Sequence, residues 1–167
     1  VLALLLINSY VHGQELPFQF DHITTKNGLS QSQAYTIYQD SYGYLWIGTQ
    51  DGLNRYNGNN FTVYKNDPFD STTLAHNWIW SITEDRHGDL WIGTFQGLCR
   101  YIRKENRFVQ YFHQLNDSST LSGNRTNVVL RDKQDRIWIS AWGSGLNLYD
   151  EETNTFKQFL PSLTDST

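Results

Sequence analysis

The chain has 167 residues, 38% of them hydrophobic, which suits about one soluble domain. A scattered net charge of −4 with no basic stripe argues against a duplex nucleic-acid partner. Cys99 is the single cysteine, so neither an internal disulfide nor a cysteine-based metal site can form.

The chain opens on a short apolar run, Val1 to Ile7, followed by Val11-His12-Gly13. The run is too short for a membrane span of about 20 residues. Its small-residue end fits a signal-peptidase site, with cleavage before Gln14. Residues 1–13 are therefore expected to be a signal-peptide remnant, and the absence of Met fits a truncated start. Residues 14–33 read as an extended lead-in.

From there the sequence repeats. Leu45-Trp46-Ile47-Gly48-Thr49 returns as Leu90-Trp91-Ile92-Gly93-Thr94 and again as Ile137-Trp138-Ile139-Ser140-Ala141. The tryptophans are 45 and then 47 residues apart. Six residues before each stands an aspartate, Asp40, Asp85 or Asp132, and eleven before that a leucine, Leu29, Leu74 or Leu121. After each tryptophan comes Gly-Leu-x-x-Tyr, beginning at Gly52, Gly97 and Gly145, and then an aromatic, Phe61, Phe108 or Phe156.

Each unit reads as four short strands. In the first copy these are Tyr35 to Asp40, Tyr44 to Thr49, Leu53 to Tyr56, and Phe61 to Lys65. The later first strands are expected at Ile82 to Asp85 and Val128 to Asp132. The aspartate opens a turn through its side-chain acceptor, and a glycine closes it at positive φ. Four strands per unit of roughly 40–50 residues, with a tryptophan in fixed register, is the signature of β-propeller blades. The fold class is all-β: a propeller fragment of three four-stranded antiparallel blades. We expect blade 1 at 34–66, blade 2 at 67–113 and blade 3 at 114–160, with 161–167 beginning a fourth repeat. Closed propellers carry about 4–8 blades, so the natural polypeptide is expected to be longer. Trp46, Trp91 and Trp138, with Asp40, Asp85, Asp132, Gly52, Gly97 and Gly145, form the expected structural core of the repeat. Each indole should plug the gap between adjacent blades.

The pattern Asp-x-x-Gly-x-Leu-Trp-Ile-Gly-Thr, then Gly-Leu-x-x-Tyr, resembles the two-component regulator propeller repeat, as does the Gly28-Leu-Ser30 lead-in. The resemblance runs over about residues 18 to 167. It implies the periplasmic sensor region of a hybrid two-component protein, with a larger, seven-bladed propeller. A membrane span and histidine kinase modules would follow in the same chain. Many relatives of this type sense oligosaccharides and control polysaccharide-use genes. The third copy departs from the pattern at Ser140-Ala141-Trp142, with one added residue before Gly145, a change expected to touch a loop only.

No catalytic set stands out, and no cofactor or metal site is expected. His12, His22, His76, His87 and His113 recur at no repeat column and show no metal-ligand spacing. The repeated aspartates suit turn capping better than acid–base work, since each begins a turn. Binding is the better candidate. Loops that join second to third strands, and those that lead into first strands, share one face of a propeller. There the copies differ. Trp78, Phe95 and Trp142 offer plates for sugar C–H faces; Asn77, Gln96, Arg125 and Asn127 offer hydrogen bonds to hydroxyls, and Arg125 suits a carboxylate or sulfate. The expected partners are a small molecule or oligosaccharide, the remaining blades and downstream modules, and a second copy in a homodimer. The alternatives are an adhesion or scaffold module, or a propeller lyase or glycosidase.

Overall fold

The computed structural model describes residues 22–161. The expected signal remnant, residues 14–21 of the lead-in, and residues 162–167 of the expected fourth repeat lie outside the described residues. Short runs rich in β-branched and aromatic residues, broken by Asp-x-x-Gly turns in the first two units and by Asp132 to Asp135 in the third, fold this stretch into three four-stranded antiparallel sheets, each a simple meander. The first holds β1 (Ala34–Gln39), β2 (Leu45–Thr49), β3 (Gly52–Tyr56) and β4 (Phe61–Tyr64). The second holds β5 (Ile79–Glu84), β6 (Leu90–Thr94), β7 (Leu98–Ile102) and β8 (Arg107–Tyr111). The third holds β9 (Thr126–Arg131), β10 (Ile137–Ala141), β11 (Gly145–Asp150) and β12 (Thr155–Phe159).

Two of the first strands begin earlier than the sequence pattern suggests. β5 starts at Ile79 rather than Ile82, and β9 at Thr126 rather than Val128. The cause is a β-bulge. Ile79 and Ser81 pair with Thr94 and Gly93, leaving Trp80 as the extra residue. Tyr35 and Asn127 are the extra residues in β1 and β9. A bulge re-aims one side chain and hides a strand from a strict two-residue period.

The three tryptophans occupy equivalent positions in β2, β6 and β10, but not equally buried ones. Trp46 and Trp91 are fully buried between neighbouring sheets. Trp46 stacks on Tyr64 of its own sheet, with centroids 5.7 Å apart, and meets Tyr101 of the next at 5.3 Å. Trp91 repeats this with Tyr111 at 5.6 Å and Tyr149 at 4.5 Å. Trp138 has Phe159 of its own sheet at 5.6 Å and is only partly buried. The leucines that precede each sheet, Leu29, Leu74 and Leu121, are all buried.

The sheets approach each other closely at Gly48 and Gly93. A Cβ on Gly93 would lie 2.5 Å from the Thr126 carbonyl oxygen, and one on Gly48 2.6 Å from both Ile79 and Thr36. In the third copy this place belongs to Ser140. The departure at Ser140-Ala141 therefore sits inside strand β10, not in a loop. It has a structural cost. The Thr49 and Thr94 hydroxyls donate to the Gly52 and Gly97 carbonyls across the turn, and Ala141 has no such group. The longer turn passes through Gly143 at φ 71° instead.

Candidate binding face

Each turn between second and third strands is tied by its backbone to segments that lead into first strands. Phe95 N–H donates to the Trp78 carbonyl at 3.0 Å and Trp142 N–H to the Arg125 carbonyl at 2.8 Å, within one sheet. Gly52 N–H reaches the Asn77 carbonyl at 2.8 Å and Gly97 N–H the Asn124 carbonyl at 2.6 Å, between sheets. These bonds place both sets of variable loops on one face.

Four of the candidate side chains meet there. Trp78 and Phe95 lie nearly parallel, 8° apart with centroids at 5.2 Å. The Arg125 guanidinium sits 4.5 Å from the Phe95 ring centre and 5.3 Å from that of Trp142. Trp80 extends the row at the other end, stacked on Trp78 at 4.8 Å. Tyr35 leans against both Trp78 and Trp80 and accepts a hydrogen bond from Gln50 Nε2. The result is one row of planar groups, Trp80, Trp78, Phe95, Arg125, Trp142, crossing two sheets.

This row changes how the candidates can act. The faces of Trp78 and Phe95 are taken up by their neighbours, so their plates stiffen the surface rather than lie open. Trp142 is 61% exposed and keeps an open face. Arg125 is exposed, and Gln96 is exposed beside it on the same loop face. Asn127 accepts from the Ser140 hydroxyl at 3.3 Å and borders a depression shared with Trp142 and Leu146. Asn77 is engaged otherwise: its Oδ1 accepts from Asn66 N–H at 2.7 Å, as Asn124 Oδ1 accepts from His113 N–H. It clamps the start of one sheet to the end of another. Tyr35, Trp80 and His76 belong to the face but carry no sequence motif. Their signal was the bulge register for the first two. His76 packs at 5.4 Å against Phe95 and accepts from Trp78 N–H through Nδ1, and burial pushes its imidazole below the ordinary value.

At the opposite turns the repeated aspartates each bind twice. Asp40 Oδ1 accepts from Tyr42 and Tyr44 N–H, while Oδ2 accepts from the Trp46 indole at 2.7 Å. Asp85 and Asp132 repeat the pattern with Trp91 at 2.9 Å and Trp138 at 2.8 Å. Partial burial opposes ionisation of Asp132, but donors from Trp138, Arg136 and Gln134 outweigh it and hold the carboxyl well below its usual range. Cys99 is sealed in the core, its thiol raised to about 12 by burial, which makes it unreactive.

Fold and face together define a segment of a β-propeller with one loop surface rich in aromatic and hydrogen-bonding side chains. The two component regulator propeller family model matches residues 28–51 and 73–96, the stretches that hold the first two Leu-Trp-Ile-Gly-Thr segments. A stretch of 62 residues is 47% identical to histidine kinase P4 of Formosa agariphila, covering 37% of this chain and 4% of that protein. The extracellular domain of a hybrid two component system from B. thetaiotaomicron superposes with a TM-score of 0.78 at 25% identity. That match covers 84% of this chain and 20% of the other. Virginiamycin B lyase from Staphylococcus aureus shares the fold alone, with a TM-score of 0.58 and 14% identity over 78% of this chain and 42% of that one. The chain thus spans about a fifth or less of the two-component proteins it matches.

Proposed function

We propose that this segment is part of an extracytoplasmic ligand-sensing propeller of a two-component signalling protein, and that oligosaccharides are its ligands. The observation that carries the reading is the row from Trp80 to Trp142, a stiff aromatic surface with an exposed indole and hydrogen-bonding groups at one end. Aromatic rings present C–H-rich sugar faces with a large apolar contact at small entropic cost. The likeness to a histidine kinase and to an extracellular two-component domain supports a signalling parent placed in the periplasm, with kinase modules in the same chain. Signalling requires that the ligand bind two states unequally, and a row that crosses from the second sheet to the third is suited to register a shift between them. The segment itself is not proposed to catalyse a reaction.

The test is made in the full-length protein in membrane vesicles, by following autophosphorylation while a panel of oligosaccharides is added. Substitution Trp142→Ala should weaken the response to the activating sugar by about tenfold, the scale of one lost stacking contact. Unchanged sensitivity in that variant would remove this face from the sensing site.

A further inference from the structure

We infer that Arg125 is an oxyanion receptor, so that the ligand of this face carries a carboxylate or a sulfate ester next to the sugar that covers Trp142. The inference rests on the reading of this face as a ligand site and adds the charge of the ligand. Arginine usage elsewhere in the structure sets the contrast. Arg86, Arg100, Arg103, Arg107, Arg131 and Arg136 all lie within salt-bridge distance of an aspartate or glutamate. Arg55 is spent on the seam, packed over Tyr44, Trp46 and Tyr64. Arg125 alone stands on the loop face, and among the described residues no carboxylate pairs with it and no side chain or carbonyl accepts from its guanidinium.

It is nonetheless held in place. Its carbonyl is fixed by Trp142 N–H at 2.8 Å, and its guanidinium lies between two rings, 4.5 Å from Phe95 and 5.3 Å from Trp142. Rings that cover the faces of a guanidinium leave its N–H edge for a ligand, and that fork matches the two oxygens of a carboxylate or sulfate. The ordering entropy that an exposed arginine would lose on binding is already spent in the stack. Next to it, the open face of Trp142, the Asn127 amide and the Ser140 hydroxyl provide apolar and polar contacts for the sugar ring that bears the anion.

The probe is galacturonic acid trisaccharide, set against its fully methyl-esterified form and a sulfated trisaccharide, each titrated calorimetrically into the full-length protein. The ester keeps the shape and removes the charge. An anionic trisaccharide should bind at least about tenfold more tightly than the ester, as expected for a charge-assisted pair. The two anionic sugars distinguish carboxylate from sulfate as the source. Arg125→Gln should erase the preference for the anion, so that acid and ester bind with equal affinity. Arg125→Lys should recover part of it, since the charge remains but the planar fork does not. Equal binding of acid and ester, or a preference that survives in Arg125→Gln, overturns the inference and leaves the sensing role intact. Failure of all three sugars to bind overturns it as well, whereas the sensing role is judged separately by autophosphorylation. Equal melting temperatures for both variants and the parent protein certify that the fold is not the variable.

Discussion

Each aspartate at positions 40, 85 and 132 joins a turn to an indole six residues further on, and this double duty explains why both residue types recur together. One carboxylate oxygen takes the turn amides and the other the indole N–H, at 2.7 to 2.9 Å. The bond tells a tryptophan from any other large aromatic. Trp46→Phe keeps most of the ring in the seam but leaves Asp40, whose side chain is wholly buried, one donor short. A hydrogen bond to a charged group is worth about 1.5–3 kcal/mol, and Trp46→Phe should lower stability by about that amount. Trp138→Phe should cost less, because Asp132 is partly exposed and water can replace the lost donor; denaturant midpoints of the two variants test the order. Acid titration tests the same carboxylates differently. Since the folded Asp132 carboxyl lies below its ordinary value, its stabilisation is complete above about pH 4 and is lost as pH falls through the lower, folded value. Asp132→Asn should therefore flatten the acid limb of a melting curve recorded from neutral to strongly acidic pH. The sequence announced the turn but not the indole bond, although the constant six-residue interval was its trace.

At the scale of the strand and its turn, the repeat tells which positions are packing and which are free. Gly48 and Gly93 have no side chain because the next sheet's first strand passes over them. Gly93→Ala sets a methyl against a backbone oxygen, which cannot swing aside, so it should cost about 1–3 kcal/mol, the usual range for overpacking. Gly143→Ala meets nothing within contact distance and is strained only by its φ of 71°, so thermal melts should rank it the milder of the two. These columns were readable because the same residue returns in the same place. What escaped reading broke the two-residue alternation or replaced one hydrogen-bonding pair by another. The bulges at Tyr35, Trp80 and Asn127 shifted the register by one and concealed Trp80 as a residue of the face. The clamp formed by Asn54 with Ser30, and by Asn147 with Ser122, becomes Cys99 with Ala75 in the middle copy. Its partners are about 24 residues apart, so only the folded chain shows that they change as a pair. The candidate face was half legible for a related reason. Variation between copies pointed to Trp78, Phe95, Arg125 and Trp142, but not to their stacking on one another, and it could not separate the clamp residue Asn77 from residues free to meet a ligand.

Across the whole molecule, apolar plugs make the seams alike and ion pairs make them different. Both seams bury tryptophan and tyrosine at matching places, so the aromatic contacts alone would let one sheet dock in place of another. The charged rim differs. In the first seam, Arg103 of the second sheet reaches Asp40 of the first at 2.9 Å and Glu84 at 3.3 Å, while Glu84 also accepts from Ser41. In the second seam the position equivalent to Arg103 is Glu151, which pairs with Arg86 at 2.6 Å and His87 at 2.7 Å. The polarity of the contact is reversed, so exchanging neighbours would set like charges against each other. The two pairs are also unequal in energy. Asp40 is wholly buried and Arg103 only 17% exposed, whereas Glu151 and Arg86 are 42% and 55% exposed. Removing one member of a buried pair leaves a charge with poor access to water and costs about 3–5 kcal/mol, while an exposed pair is worth about 0–1 kcal/mol. Asp40 keeps three other donors, which places the loss for Arg103→Met near the lower end, about 3 kcal/mol. Glu151→Gln should change stability by less than about 1 kcal/mol and should do so less at high salt, since its partners are screened. Denaturation of the full-length protein at low and high salt, with each variant beside the parent, decides the point: equal losses in the two variants would mean that the first seam draws nothing from its buried ions and that aromatic packing alone sets the order of the sheets.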